Sequence, residues 1–180
     1  MKKLIPAAAL CLALAIGLAP GNAAANAFPE HGGLLDRSSQ ERSPMLSVWG
    51  FVPYYYGMGV GAGVRYAIPI ASQGFIRALN DSVELEFGGD FSYFRTGGYY
   101  NHFMMAVPVE ARWTFHFTRS FSAYGKLGLG VKYAFGDDYR ALDFLYWDVV
   151  PGVIWKPGSS IALRAELGYQ TARIGVGFLF

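Results

Sequence analysis

Cysteine is all but missing: Cys11 is the single thiol in 180 residues, and it lies inside an N-terminal stretch that reads as an export signal. The mature chain then has no thiol and no disulfide, so its stability must come from its own sheet or core. Leu10 stands where a lipoprotein box would need a small residue before Cys11, which argues against lipid attachment there. Basic clusters are missing too. Once Lys2 and Lys3 leave with the signal, 13 basic residues face 13 acidic ones, and no run of like charge offers a footprint for nucleic acid. Helical periodicity is absent beyond the N-terminus. The one N-terminal apolar run is short, Ala-rich and broken by Pro6 and Gly17, which fits a signal peptide better than a transmembrane helix.

The signal spans residues 1–27: Lys2 and Lys3, the apolar run Leu4 to Ala19, the breaker Pro20-Gly21, and Ala25-Asn26-Ala27 as a small-residue cleavage site. Residues 28–44, FPEHGGLLDRSSQERSP, keep no period and read as a mobile periplasmic leader. From Met45 onward the pattern becomes strict alternation. His102 to Phe117 shows it best, with Phe103, Met105, Val107, Val109, Ala111, Trp113, Phe115 and Phe117 on one face, and His102, Glu110, Arg112, Thr114 and His116 on the other. Such a run is far longer than a typical soluble strand, whereas a tilted membrane strand needs about 9 to 11 residues in lipid plus its rims.

Eight strands are expected: Met45 to Tyr54, Gly57 to Ile70, Ser82 to Arg95, His102 to Thr118, Phe121 to Gly136, Leu145 to Lys156, Ser160 to Gln170 and Ala172 to Phe180. A single helical turn at Phe75 to Leu79 is compatible with the link between the second and third. Four glycines, Gly57, Gly59, Gly61 and Gly63, share one face of the second strand, which implies that the space beside them is already filled. The first strand leaves its orientation open, with Trp49 and Phe51 on one side and Val48 and Val52 on the other. Thr118 to Ser120 and Pro157 to Ser159 read as tight turns, and Thr96 to Asn101 and Asp137 to Phe144 as longer polar loops. Short turns toward the periplasm and long loops outside would set the direction of the barrel, although the link Ala71 to Asp81 is long for a periplasmic turn and Tyr55-Tyr56 and Thr171 are short for outer loops.

Two arguments place the apolar stripe against lipid. An eight-stranded barrel has an interior just wide enough for side chains, and the apolar faces carry too many Trp, Phe, Tyr and Leu to share it. The glycine-rich charged faces fit it: Glu84, Glu86, Asp90, Glu110, Asp148 and Glu166, with Arg65, Arg112, Lys126, Lys132, Arg164 and Arg173. Ionised groups enclosed in so small a lumen must be paired. The rings are also sorted by height, with Phe115, Phe117, Phe121 and Trp155 near the short-turn end and Tyr93, Phe103, Tyr133, Phe135, Trp147 and Tyr169 near the loop end. These two belts fit the aromatic girdles of a membrane barrel, about 25 Å apart.

In these features Met45 to Phe180 resembles the small eight-stranded outer-membrane β-barrels of Gram-negative bacteria, of the OmpX and OmpA-barrel type. The end of the chain is the most specific part: Ile174, Val176, Phe178 and terminal Phe180 look like the signal read by the barrel-assembly machinery. The resemblance implies an all-β, up-and-down transmembrane barrel in the outer membrane, a monomer among lipid and lipopolysaccharide, with no cofactor.

The expected role is that of a structural or surface-interaction protein with a charge-plugged lumen, meeting lipopolysaccharide or a partner through Tyr55, Tyr56, Tyr99, Tyr100, Tyr139 and Arg140. The alternative is a narrow channel for small polar solutes. A third reading, a lipid-modifying hydrolase, would need an activated serine, for which His102 with Ser92 and Asp90, or His116 with Ser122, are the candidates. Neither grouping sits in a recognisable motif, so no enzyme is expected. Asp137-Asp138 reads as a solvated loop before a cation site. Gly57 to Gly63 keeps strand spacing and is no phosphate loop.

Overall fold

The computed structural model describes residues 31–38, 40–54, 58–96, 100–136 and 139–180. The expected signal segment lies outside them. Eight strands form: β1 Met45–Pro53, β2 Met58–Ala71, β3 Asp81–Thr96, β4 Tyr100–His116, β5 Phe121–Gly136, β6 Tyr139–Trp155, β7 Ile161–Leu167 and β8 Thr171–Leu179. Each pairs antiparallel with its neighbours in sequence, and β8 returns to β1, where Met45 faces Leu179 and Pro53 faces Thr171. Closure removes the unpaired edges that an open sheet would leave.

Period-two alternation becomes alternation of burial. In β7, Ala162, Arg164 and Glu166 are buried between exposed Ile161, Leu163, Ala165 and Leu167. The exposed set on the outer wall is apolar, with Val107 at 63%, Val60 at 64% and Leu127 at 55%. Both sides of the wall are thus inverted relative to a soluble barrel.

Three expectations are corrected. β6 begins at Tyr139, six positions before the expected Leu145, and pairs with β5 as far as Gly136 opposite Tyr139. The register shifts on the way, since Gly130 faces Tyr146 but Lys132 faces Asp143. One extra residue in β6 reverses the parity of its alternation, which is why the pattern breaks there in the sequence. β7 ends at Leu167 rather than Gln170. The two expected long loops are also shorter than read, since the links are 97–99 and 137–138; the longest link, 72–80, is the one the sequence shows after Ala71, at the end that carries both β1's start and β8's finish.

That long link has its own order. Leu79 N donates to Ile76 O at 2.9 Å, closing a turn rather than a helix, and Gly74 N donates to Asp81 O at 2.8 Å. The Asp81 carboxylate accepts from Trp113 Nε1 at 2.7 Å, and Phe75 meets the Trp113 ring edge-on at 5.5 Å. Residues 31–38 and 40–44 are tied to the same end: Asn80 N donates to Leu34 O at 2.8 Å, Asn80 Nδ2 to Gly33 O at 3.1 Å, Arg119 Nε to His31 O at 2.8 Å, and Phe180 N to Pro44 O at 3.2 Å. Within this segment the amides of Gly32 and Ser38, with the Ser38 hydroxyl, donate to Asp36 and hold its carboxyl down at about 2.

Candidate functional site: the charged interior

The inward positions of seven strands supply the charges: Arg65 from β2, Glu84, Glu86 and Asp90 from β3, Glu110 and Arg112 from β4, Lys126 and Lys132 from β5, Asp148 from β6, Arg164 and Glu166 from β7, and Arg173 from β8. All twelve are buried. Eleven of them form one connected chain of ion pairs. It starts at Glu84, which accepts from Arg112 Nε at 3.2 Å; Arg112 also pairs with Glu86. Glu86 accepts from Arg164 at 2.8 Å and Lys126 at 3.3 Å. Lys126 Nζ reaches Glu166 at 2.8 Å and Glu110 at 3.0 Å. Arg65 links Glu110, at 2.9 Å, to Asp90, which it grips with both Nη atoms at 2.8 and 2.6 Å. Arg173 continues to Asp90 at 3.5 Å and Asp148 at 3.7 Å. Lys132 stands opposite Asp143 in register.

Many of these bonds join strands that are not neighbours. Arg164 on β7 reaches Glu86 on β3, and donates to Ser47 on β1 at 2.8 Å. Such contacts cross the interior itself, and the bidentate grip on Asp90 adds fixed geometry to charge.

Aromatic rings complete the filling. β1 turns Trp49 and Phe51 inward, at 2% and 5% exposure, and Val48 and Val52 outward. Arg164 lies over the Trp49 ring at 4.6 Å and Lys126 at 5.8 Å, and Arg173 over Phe51 at 5.4 Å. Tyr124 is flanked by Arg112 at 5.4 Å and Arg164 at 5.3 Å, and its hydroxyl donates to Glu166 at 2.6 Å. The orientation of β1, left open by the sequence, is thereby decided, with Trp49 inside. Tyr124 was missed as an interior residue although it is in phase with Lys126. The glycines explain how the rings fit, because a Cβ at Gly61 would lie 2.3 Å from the Phe51 ring and one at Gly175 2.6 Å from the Trp49 ring.

The two histidine groupings separate. His102 stacks on Phe94 at 5.3 Å, Asp90 is held by Arg65, and the Ser92 hydroxyl has no hydrogen-bond partner among the described residues, so that triad does not assemble. His116 does meet Ser122, with Nδ1 at 3.0 Å from Oγ, and its Nε2 lies 2.8 Å from Ser82 Oγ. Ser82 in turn donates to Glu84 at 2.5 Å. Since the Ser82 proton goes to Glu84, His116 Nε2 carries a hydrogen toward Ser82, and Nδ1 accepts from Ser122. With Ser122 at 1% exposure the chain acts as a strut between β3, β4 and β5. Among the described residues no group of three or more His, Cys, Asp or Glu is placed to hold a metal, and Asp137 and Asp138 lie outside them.

No family model matches the sequence, and no curated protein matches it either. Among solved structures the chain is similar to a transmembrane β-barrel designed de novo, with 15% identity, a TM-score of 0.53 and an alignment covering 79% of this chain and 100% of the design. It is similar also to Ail, the attachment invasion locus protein of Yersinia pestis, with 15% identity, a TM-score of 0.50 and coverage of 78% of this chain and 100% of Ail. The fold is that of the small eight-stranded transmembrane barrels.

In a barrel of this kind the outer wall is the lipid face, and the ring positions read from the sequence lie on it. Tyr93, Phe103, Phe135 and Tyr133 form a continuous run of ring contacts, with centroids 5.4 to 5.5 Å apart, and Trp147 stacks on Tyr169 at 6.0 Å. At the other end Trp113 meets Phe115 at 4.7 Å and Phe117 meets Phe121 at 6.2 Å, with Trp155 exposed beside them on β6. Ile174, Val176, Phe178 and Phe180 are exposed on and just past β8.

Proposed function

We propose that the chain is an integral outer-membrane protein of a Gram-negative cell whose barrel is shut to solutes by its own charges, and which acts by what its surface binds. The observation that carries this reading is the unbroken ion-pair chain from Glu84 through Glu86 and Glu110 to Asp148, crossing an interior that Trp49 and Tyr124 also occupy. An eight-stranded barrel offers little more room than side chains fill. A desolvated and paired set of this kind has no reason to take up a passing ion, because any ion would have to displace a partner already in contact. The channel and hydrolase alternatives lack a comparable observation.

On this reading the chain is exported under the signal 1–27, leaves residues 28–44 on the periplasmic side, and presents the exposed Ile174, Val176, Phe178 and Phe180 to the barrel-assembly machinery. It then stands as a monomer in lipid, its outer face meeting lipopolysaccharide. The loop candidates Tyr55, Tyr56 and Tyr99, and the side chains of Tyr100, Tyr139 and Arg140, lie outside what the structure describes. A surface role agrees with the name of Ail, an attachment protein of similar fold. The test is single-channel recording on the refolded mature barrel in planar bilayers. The expected trace is flat at moderate voltage, and stable conductance steps would remove the closed interior.

A further inference from the structure

At the end of the barrel that carries the termini, a cavity of about 230 Å³ opens between residues 41–43, the inner ends of β3 and β4, and the turns after β4 and β6. Its wall holds four cationic side chains, Arg42, Arg112, Arg119 and Lys156, against two carboxylates, Glu41 and Glu84. Glu84 is already engaged by Arg112 at 3.2 Å, Thr114 at 2.8 Å and Ser82 at 2.5 Å. Among the described residues the other three cations have only neutral partners or none. Arg42 donates to the side-chain oxygen of Asn80, and its Nε hydrogen is buried with no acceptor among the described residues. Arg119 Nε donates to a backbone carbonyl, that of His31, at 2.8 Å. The Lys156 ammonium makes no ion pair among the described residues.

Buried or half-buried cations without a counter-charge in contact are costly. Burial, then the nearby Arg42 and Arg112, push the Lys156 ammonium below its usual range against the pull of Glu84. Burial lowers the Arg42 guanidinium too, with Glu84, Asp36 and Asp81 acting the other way. Elsewhere the buried cations Arg65, Arg112, Lys126, Arg164 and Arg173 each make an ion pair with a carboxylate. Here Glu41 is exposed and Glu84 is engaged by Arg112, and among the described residues neither Arg42, Arg119 nor Lys156 makes such a pair.

We propose that this cavity binds a phosphate-bearing anion, held by Arg42, Lys156 and Arg119. A lone carboxylate would be satisfied by one guanidinium fork in one plane. The donors here arrive from three separate segments, two forks and an ammonium, which suits an oxyanion presenting acceptors in several directions. Ile154 and Lys156 in the lining flank Trp155, exposed on the outer wall, so the phosphate is either that of a lipid head group or a free one. The three proposed ligands lie outside the interior ion-pair chain, whose end at Glu84 and Arg112 forms one wall of the cavity, so this proposal can fail while the closed interior stands.

The test uses the mature barrel refolded in a maltoside detergent, which carries no phosphate, in a chloride background. One calorimetric titration uses inorganic phosphate and a second uses short-chain phosphatidylglycerol below its micelle concentration. Saturable one-site binding is expected in at least one arm. Response to both marks a soluble phosphate as sufficient, and response to the lipid alone marks a head-group site. Arg42→Gln with Lys156→Gln is expected to weaken binding at least tenfold, and Lys156→Arg to keep it, with folding checked by heat-modifiable migration. Arg119→Gln, on an exposed turn, gives a second test that leaves the strands untouched and is expected to lower affinity in the same direction. Absence of saturable binding in both arms, or parent-like affinity in a folded variant lacking two of the three cations, overturns the proposal.

Discussion

Replacing Glu86 by Gln removes one negative charge from the centre of the ion-pair chain while nearly preserving shape. Glu86 is 0% exposed and faces three cations, Arg164 at 2.8 Å, Lys126 at 3.3 Å and Arg112 beside them. Were the interior filled with water, each pair would be screened and the change would cost about 0 to 1 kcal/mol. In an enclosed interior, deleting one partner leaves buried cations unbalanced and costs about 3 to 5 kcal/mol. The amide adds to this, since its NH2 group points a donor at donors. Removing charge of both signs at once is expected to recover much of the loss. In Glu86→Leu with Arg164→Met, Arg112 keeps Glu84, and Lys126 keeps Glu110 and Glu166. The coupling between the two sites is expected to reach about 1 to 3 kcal/mol. Reversible urea unfolding from phospholipid vesicles, followed by tryptophan emission, measures both, and Trp49 beneath Arg164 reports directly on the altered site. A cost below about 1 kcal/mol for the single variant, or a double variant as unstable as the two singles together, refutes the enclosed network.

The outer wall and the ring packing give two more tests with the same assay. Val107, 63% exposed and opposite Val131 in the middle of the β4–β5 pair, should tolerate no charge: Val107→Lys is expected to cost about 2 to 4 kcal/mol if it meets the bilayer midplane, and a neutral result would take that face out of the hydrocarbon. Gly175→Ala would set a Cβ 2.6 Å from the Trp49 ring and 2.7 Å from Val48 O, so overpacking of about 1 to 3 kcal/mol and a shifted tryptophan emission are expected. Gly50→Ala, where a Cβ meets nothing within 4 Å, is the control and should leave the emission unchanged.

Most of the wall was legible because a strand in lipid has only two solvents to choose between, and side chains alternate between them without exception along β4 and β7. Legibility failed where the backbone broke the period. At β6 the extra residue opposite Val131 reverses the parity, so Tyr139 to Phe144 looked like a polar loop although the backbone continues the ladder. It failed too in β1, whose two faces are both apolar. There the decision belongs to other strands: Trp49 can turn inward because Gly175 on β8 stands directly opposite it and leaves room for its ring. A residue's own strand carries no trace of that space. Loop length misled for a related reason, since the length of a link records what it packs against. The link after β2 is long because it folds over Trp113 and supplies Asn80 to the segment ahead of β1.

The identities of the interior charges were readable, but their pairing was not, and the register shows why. On β3 and β4 Glu86 stands directly opposite Glu110, and on β4 and β5 Arg112 stands directly opposite Lys126. Read as a flat sheet, each is a like-charge pair that should destabilise the ladder. The attraction runs along the diagonals instead: Arg112 to Glu86 one way, Lys126 to Glu110 at 3.0 Å the other, with Lys126 also reaching past β4 to Glu86 at 3.3 Å. Curvature brings these diagonals together, because side chains on the inside of a small cylinder converge while those outside spread. From across the lumen Arg164 and Glu166 on β7 then complete the cluster, at 2.8 Å to Glu86 and 2.8 Å to Lys126. The adjacent-strand contacts, the directly opposed Glu84–Arg112 pair among them, need no closure, but those of Arg164 and Glu166 are made only when the sheet is rolled and shut. Opening it would withdraw these cross-lumen partners from Glu86 and Lys126, so the charges that fill the barrel also favour its closure.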